Sequence, residues 1–274
     1  MKSIKVFCPA SVANVSCGFD VLGFCLDGIG DVMKITKTDN KGLIISKITG
    51  ADLPFDPNKN VATIAASAIL KNFNLDYGFD FEIKKNIKPG SGIGSSAASA
   101  TGAVYGINKL IGTPFKRKDL IKFALEGEKY ASKAEHADNI APALLGGFSL
   151  VRSNKTVDVI RLPNPEKLYA TILHQEIELK TSHARSILKK SIPLSDVVRQ
   201  SGNLAALISA LYTNNYDLIS KSLKDYIIEP YRSKLIPEFD LLKKTALNSG
   251  ALGSGIAGSG PSIFALSKGR EIAE

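Results

Sequence analysis

The chain has 274 residues, 44% hydrophobic and 22% charged, an ordinary globular composition that suits one large domain or two small ones and excludes a disordered chain. A net charge of +9 favours anionic ligands, while the lack of tryptophan and only 7% aromatic residues argue against base-stacking platforms for nucleic acid. Cys8, Cys17 and Cys25 lack metal-site spacing and have no neighbouring histidine. Their odd, sparse count predicts a reducing, cytoplasmic setting. Met1 to Val6 is too short an apolar run for a signal peptide. Residues 89–108 and 245–267 carry no charge and are long enough to span a membrane. Both are rich in Gly and Ser instead of Leu and Ile, so a membrane reading is rejected.

In chain order, residues 4–8 read as a strand stopped by Pro9, followed by a polar loop over 10–18. Strands are expected at 19–26, 31–38 and 42–48, and helical spacing appears from Val61 to Ile69. Phe79, Phe81 and Ile83 alternate with charged residues, the pattern of a half-buried strand. A glycine-rich loop leads into a small-residue helix over 95–110, and a second helix is expected over 118–134. Gly146-Gly147 turns into strands at 148–152 and 156–162. Pro163-Asn164-Pro165 punctuates the chain, which divides it softly into 1–160 and 161–274. The second part reads as a strand at 168–174, helices at 182–190, 196–213, 215–226 and 237–249, then strands at 251–257 and 263–266. Strand, helices, then strands in this second part predict an α+β sandwich with helices on one face.

The glycine loop is Pro89-Gly90-Ser91-Gly92-Ile93-Gly94-Ser95-Ser96-Ala97-Ala98. Glycines allow close backbone approach, and free amides at a helix start form an anion nest for which phosphate is the natural guest. No lysine follows Gly94 as a P-loop requires, and a helix stands where a dinucleotide fold needs a strand. A tight turn that merely packs its helix through Ala97, Ala98 and Ala100 remains the bland reading. Ser95 and Ser96 weaken it, since one hydroxyl can cap the helix while the other ligates Mg²⁺.

This segment resembles the ATP-binding signature of the superfamily that includes galactokinase, homoserine kinase, mevalonate kinase and phosphomevalonate kinase. Two more matches support it. Pro9 to Asp20 resembles the opening motif of homoserine kinases, with Val15-Ser16-Cys17-Gly18 departing from their usual filler. Gly255-Ile256-Ala257-Gly258-Ser259-Gly260-Pro261-Ser262 resembles the superfamily's third glycine-rich motif. Members usually continue beyond it with another helix and strand, whereas this sequence stops at Glu274, so the C-terminal sheet is expected to be less well buttressed.

The resemblance implies two domains, one ribosomal-protein-like and one ferredoxin-like. It also implies ATP-dependent phosphorylation of the side-chain hydroxyl of L-homoserine, a step in threonine synthesis, with ATP and Mg²⁺ bound. Residues 89–98 with Gly258, Ser259 and Gly260 would hold the nucleotide, and the 60–63 region is a weak candidate for adenine. Glu128, eight residues before His136-Ala137-Asp138-Asn139, would bind Mg²⁺ with Ser96. Alone, Glu128 reads as a helix glutamate reaching solvent or pairing with lysine.

Asn14, Asp20, His136, Asp138, Thr181, Arg185 and Arg232 would contact homoserine. An arginine fork suits its carboxylate and an aspartate its ammonium. Isolated, the arginines would read as surface charges, and Asn14 and Asp20 as turn residues. Asn139 stands where sister kinases carry a catalytic Asp, so no strong base is expected and Asn139 would position the hydroxyl.

A sister kinase for a sugar or isoprenoid alcohol is the second reading, disfavoured by the zwitterion-matching charges. A nucleotide-sensing relative is third and a nucleic-acid module fourth, the latter lacking a basic run. No nucleic-acid or membrane partner is expected, and a homodimer is the assembly considered.

Overall fold

The computed structural model describes residues 1–133 and 136–274. Strand β1 (Ser3–Ala13) pairs antiparallel with the long β2 (Leu22–Thr38). Next come β3 (Gly42–Thr49), α1 (Val61–Leu70), β4 (Gly78–Lys84), α2 (Ser95–Leu110), α3 (Ile121–Ser132) and α4 (Ile140–Leu145). β5 (Phe148–Ser153) and β6 (Asp158–Leu162) complete the first sheet, ordered β3-β4-β2-β5-β6 with β1 on the other edge of β2. The second sheet is β7-β9-β8, from β7 (Leu168–Leu173), β8 (Gly253–Ile256) and β9 (Ile263–Lys268). Between β7 and β8 run α5 (Thr181–Ser186), α6 (Leu194–Thr213), α7 (Tyr216–Ser222), α8 (Glu229–Arg232) and α9 (Phe239–Asn248), and α10 (Arg270–Ala273) follows β9.

The elements depart from expectation where tertiary contacts override local signals. β1 passes through Pro9 to Ala13, with a register shift between Pro9 and Ser11. Pro9 is tolerated because β1 pairs only with β2, so its missing amide can face the unpaired edge. The two strands expected at 19–26 and 31–38 are one continuous β2, which β1 covers on one edge while β4 and β5 share the other. The helix expected over 118–134 is a 3₁₀ turn followed by α3, and Ala134 lies outside the described residues.

The helix expected over 215–226 ends at Ser222. Asp225 takes over beyond it, accepting from the amides of Ile227, Ile228 and Glu229. Strand pairing changes sheets between Leu162 and Leu168, so a cut at 160/161 falls inside β6.

The uncharged stretches are explained by burial. α2 is buried at every residue from Ala97 to Val104, leaving no room for a charge. Residues 253–264 are buried almost throughout. Among the described residues no helix is long and apolar enough to cross a membrane.

Candidate active site

Both glycine-rich loops dock on the free edge of β1. The Ser11 amide donates to the Ile93 carbonyl at 3.1 Å, and the Gly258 amide donates to the Ala13 carbonyl at 3.2 Å. The loops also touch each other, since the Ser262 hydroxyl donates to the Ser91 carbonyl at 2.6 Å. Two positions require glycine. At Gly92 (φ +83°) a Cβ would lie 2.5 Å from the Gly260 carbonyl oxygen, and at Gly94 (φ +71°) 2.2 Å from Ser11 Oγ.

Gly94 is the N-cap of α2, and no side chain caps this end. The Ser95 hydroxyl, expected as a cap, donates instead to the Ile87 carbonyl at 3.1 Å. The first turn of this sixteen-residue helix carries no acidic residue of its own, so its amides and positive end face the loop.

Ser96 Oγ donates to Glu128 Oε2 at 2.7 Å, bringing together the two residues expected at the metal. A hydroxyl and a carboxylate are hard oxygen donors of the kind Mg²⁺ accepts beside nucleotide phosphates. Asp138 is only 4% exposed. Burial, helped by the charges of Asp20 and Glu128, pushes its carboxyl from 3.8 up to about 7. Its Oδ1 accepts from the Asn139 amide at 3.1 Å.

Asn139 Oδ1 accepts from Ser11 Oγ at 2.8 Å, which leaves the side-chain amide hydrogens as its end available to a ligand. Asn139 thus stands beside Gly94, where the phosphate loop begins its helix.

Around Phe19 the cationic groups gather. The guanidinium of Arg185 sits 5.3 Å from its ring centroid and that of Arg232 5.1 Å. Arg185 donates to both carboxylate oxygens of Asp20 at 2.8–3.1 Å. Arg232, 2% exposed, donates from Nη1 to the Gly258 carbonyl at 2.9 Å and from Nε to the Ala184 carbonyl at 3.2 Å. Burial, then the nearby Arg185, lowers its pKa to about 10, so it stays charged at neutral pH.

Asn14 bridges the two ends of the site, its Oδ1 accepting from the Asp20 amide and its Nδ2 donating to the Gly258 carbonyl. Thr181 Oγ and Ser259 Oγ lie 3.2 Å apart, tying α5 to the third motif. Among the described residues the buried His136 Nδ1 has no hydrogen-bond partner, and it lies 3.8 Å from Asp20 Oδ1. Burial holds His136 below its ordinary value, with Asp20 opposing.

Ser11 and Phe19 lie inside the opening motif yet have no role assigned from sequence. A serine hydroxyl and a phenyl ring carry no distinguishing chemistry until their neighbours are known. At the weak adenine position, Asn60 caps α1 by accepting from the Ala62 amide, and Thr63 Oγ donates to the Pro57 carbonyl. Both side chains thus have local structural duties.

Comparison with known proteins gives one picture. Residues 60–147 match the family model for the GHMP kinases N terminal domain, and residues 207–274 match that for GHMP kinases C terminal. A homoserine kinase from Chloroherpeton thalassium is 48% identical, aligned over 100% of this chain and 90% of its own length. One from Xylella fastidiosa is 38% identical over 98% of this chain and 84% of its own. The crystal structure of homoserine kinase from Cytophaga hutchinsonii superposes with a TM-score of 0.96 at 51% identity, covering 100% of this chain and 87% of that one. A mevalonate kinase crystal structure, at 16% identity and a TM-score of 0.74 over 98% and 93%, shares the fold.

Proposed function

The chain belongs to the homoserine kinases of the GHMP kinase family, and on that premise we propose that it transfers the γ-phosphoryl group of ATP to the side-chain hydroxyl of L-homoserine, giving O-phospho-L-homoserine for threonine synthesis. The observation that carries the substrate assignment is the charge arrangement at Phe19. Asp20 and Arg185 form a neutral pair beside the buried cation Arg232. An amino acid zwitterion can exchange partners with that pair, its ammonium taking Asp20 and its carboxylate taking Arg185 and Arg232. Net charge is conserved, so the exchange avoids leaving an ion unpaired. A sugar or an isoprenoid alcohol offers no such exchange.

In this reading residues 89–98 cradle the triphosphate with main-chain amides, with Gly258, Ser259 and Gly260 buttressing the cradle from the facing loop. Ser96 and Glu128 would hold Mg²⁺, which when bound neutralises charge on the phosphate oxygens and aligns them. Asn14, His136 and Thr181 line the homoserine end, and Asp138 sets the local charge from behind.

Asn139 cannot take the hydroxyl proton, because an amide is not a base at neutral pH. With Oδ1 held by Ser11, its amide N–H can donate to the hydroxyl oxygen and fix the attack direction. The oxygen forms its bond to phosphorus as the bond to ADP breaks, and the proton leaves to a phosphate oxygen or water. Alignment alone can supply ~7–11 kcal/mol of the barrier, and phosphoryl transfer asks for little more than alignment and charge neutralisation.

The test is ADP release with ATP and Mg²⁺ against homoserine, mevalonate, galactose and shikimate in parallel. Homoserine should dominate; turnover of a non-amino-acid alcohol without homoserine turnover would overturn the substrate assignment. The reading also takes the connector from Pro163 to Lys167 as the domain division. It takes the setting as cytoplasmic, supported by cysteines that are all unpaired. A homodimer completes it, with sedimentation of the purified chain as the check.

A further inference from the structure

Beneath the phosphate loop lies an ion pair with no part in the chemistry above. Lys85, just past β4, and Asp31, on β2, have side chains each 2% exposed and are bonded to each other. Lys85 Nζ also donates to the Ser95 carbonyl at 3.1 Å and to Ser99 Oγ at 3.0 Å, both in the opening of α2. Asp31 Oδ1 accepts from the amides of Asn86 and Ile87 at 2.7 and 2.9 Å. The Ser95 hydroxyl closes the ring onto the Ile87 carbonyl. The pair therefore grips both ends of the phosphate loop, Asn86-Ile87 before it and Ser95 after it. Every ammonium donor is satisfied, as is the carboxylate.

A buried ion pair is weak support for stability, since desolvation offsets most of the attraction and well-packed apolar replacements are often neutral. What this pair provides is geometry: four of its hydrogen bonds end on the two flanks of one loop. We infer that Lys85 and Asp31 are positioning residues for ATP, holding the loop flanks at the separation the triphosphate requires. The inference rests on the loop being the triphosphate site.

The experiment pairs steady-state kinetics, varying ATP and homoserine separately, with thermal unfolding. The double variant Asp31→Asn/Lys85→Met removes both charges together. It should stay folded while the KM for ATP rises about tenfold or more and that for homoserine stays within about twofold. Ser99→Ala, which removes one acceptor and no charge, should raise the KM for ATP about threefold with the same selectivity. An unchanged KM for ATP, or parallel rises for both substrates, overturns the inference. If the double variant does not fold, Ser99→Ala decides by the same criteria. Gly94→Ala separates the two levels. If it abolishes ATP binding while the double variant has normal ATP kinetics, only the positioning role fails. If Gly94→Ala leaves the KM for ATP unchanged, the loop assignment falls and this role with it.

Discussion

Asp138 offers a measurement whose size follows from its surroundings. Its carboxyl is pushed from 3.8 to about 7, first by burial and then by the charges of Asp20 and Glu128. The unfolded chain releases this proton near its ordinary value, whereas the folded chain keeps it until about neutrality. Between those values the folded state binds more protons, so this group's contribution to stability falls as pH rises from about 4 to about 7 and levels off above. At 1.36 kcal/mol per pKa unit the full loss is about 4 kcal/mol, an upper bound that local relaxation reduces toward about 2.

Asp138→Asn keeps an acceptor for the Asn139 amide and removes the charge. The gap between the two proteins should therefore be smallest at about pH 4 and below, and the variant should gain stability relative to the parent progressively toward pH 8. Urea unfolding at several pH values, without nucleotide or Mg²⁺, reads the gap directly, because other titrating groups cancel in the difference. A gap that is constant from pH 4.5 to 8 would refute the reasoning and place Asp138 in a solvated setting.

Four further outcomes are expected. Arg232→Ala should raise the KM for homoserine about 100-fold and that for ATP only slightly, because a buried cation facing the substrate carboxylate is lost; equal losses would make the arginine structural. Glu128→Gln should raise the Mg²⁺ concentration for half-maximal rate about tenfold with homoserine affinity retained, read by a metal titration. Asn139→Ala should lower kcat about 100-fold with both KM values nearly unchanged; complete loss of turnover with binding intact would argue for a more direct part in the chemistry. Gly258→Ala should raise both KM values together. Its Cβ would lie 2.8 Å from the Gly92 carbonyl oxygen on the nucleotide side, while its own carbonyl accepts from Asn14 and Arg232 on the homoserine side.

The site was legible where chemistry is carried by unusual local sequence. Gly92 and Gly94 announce positive φ, and the uncharged tract around them announces close packing, so the loop proposed to hold phosphate is visible as a tight turn before any contact is known. The resemblance implied Ser96 and Glu128 as neighbours, and the fold brings the Ser96 hydroxyl to Glu128. Partnerships between distant segments were not legible. Lys85 sits in a run with Lys84 and Lys88 and looks like any solvated lysine; only the fold brings Asp31 to it. Phe19 gives no sign that two arginines from the second half will stack on it. The strand through Pro9 was missed because local rules penalise proline in a strand, while an unpaired edge removes the penalty.

That unpaired edge explains the arrangement of the whole site. An exposed strand edge presents amides and carbonyls that attract foreign strands, and proteins normally blunt or cover it. Here the C-terminal end of β1 is covered by two loops from opposite parts of the chain, one bond from Ser11 and one to Ala13. A strand would have satisfied the same groups but would have presented side chains. A glycine loop satisfies them and still leaves amides turned toward a ligand. Because both loops are registered to neighbouring residues of one strand, the proposed nucleotide and amino acid ends share a main-chain frame. The strand then runs directly into Asn14, which bonds the Asp20 amide and the Gly258 carbonyl at the proposed amino acid end. In-line transfer needs the two substrates fixed relative to each other more than it needs a reactive side chain, and a shared backbone frame can supply that.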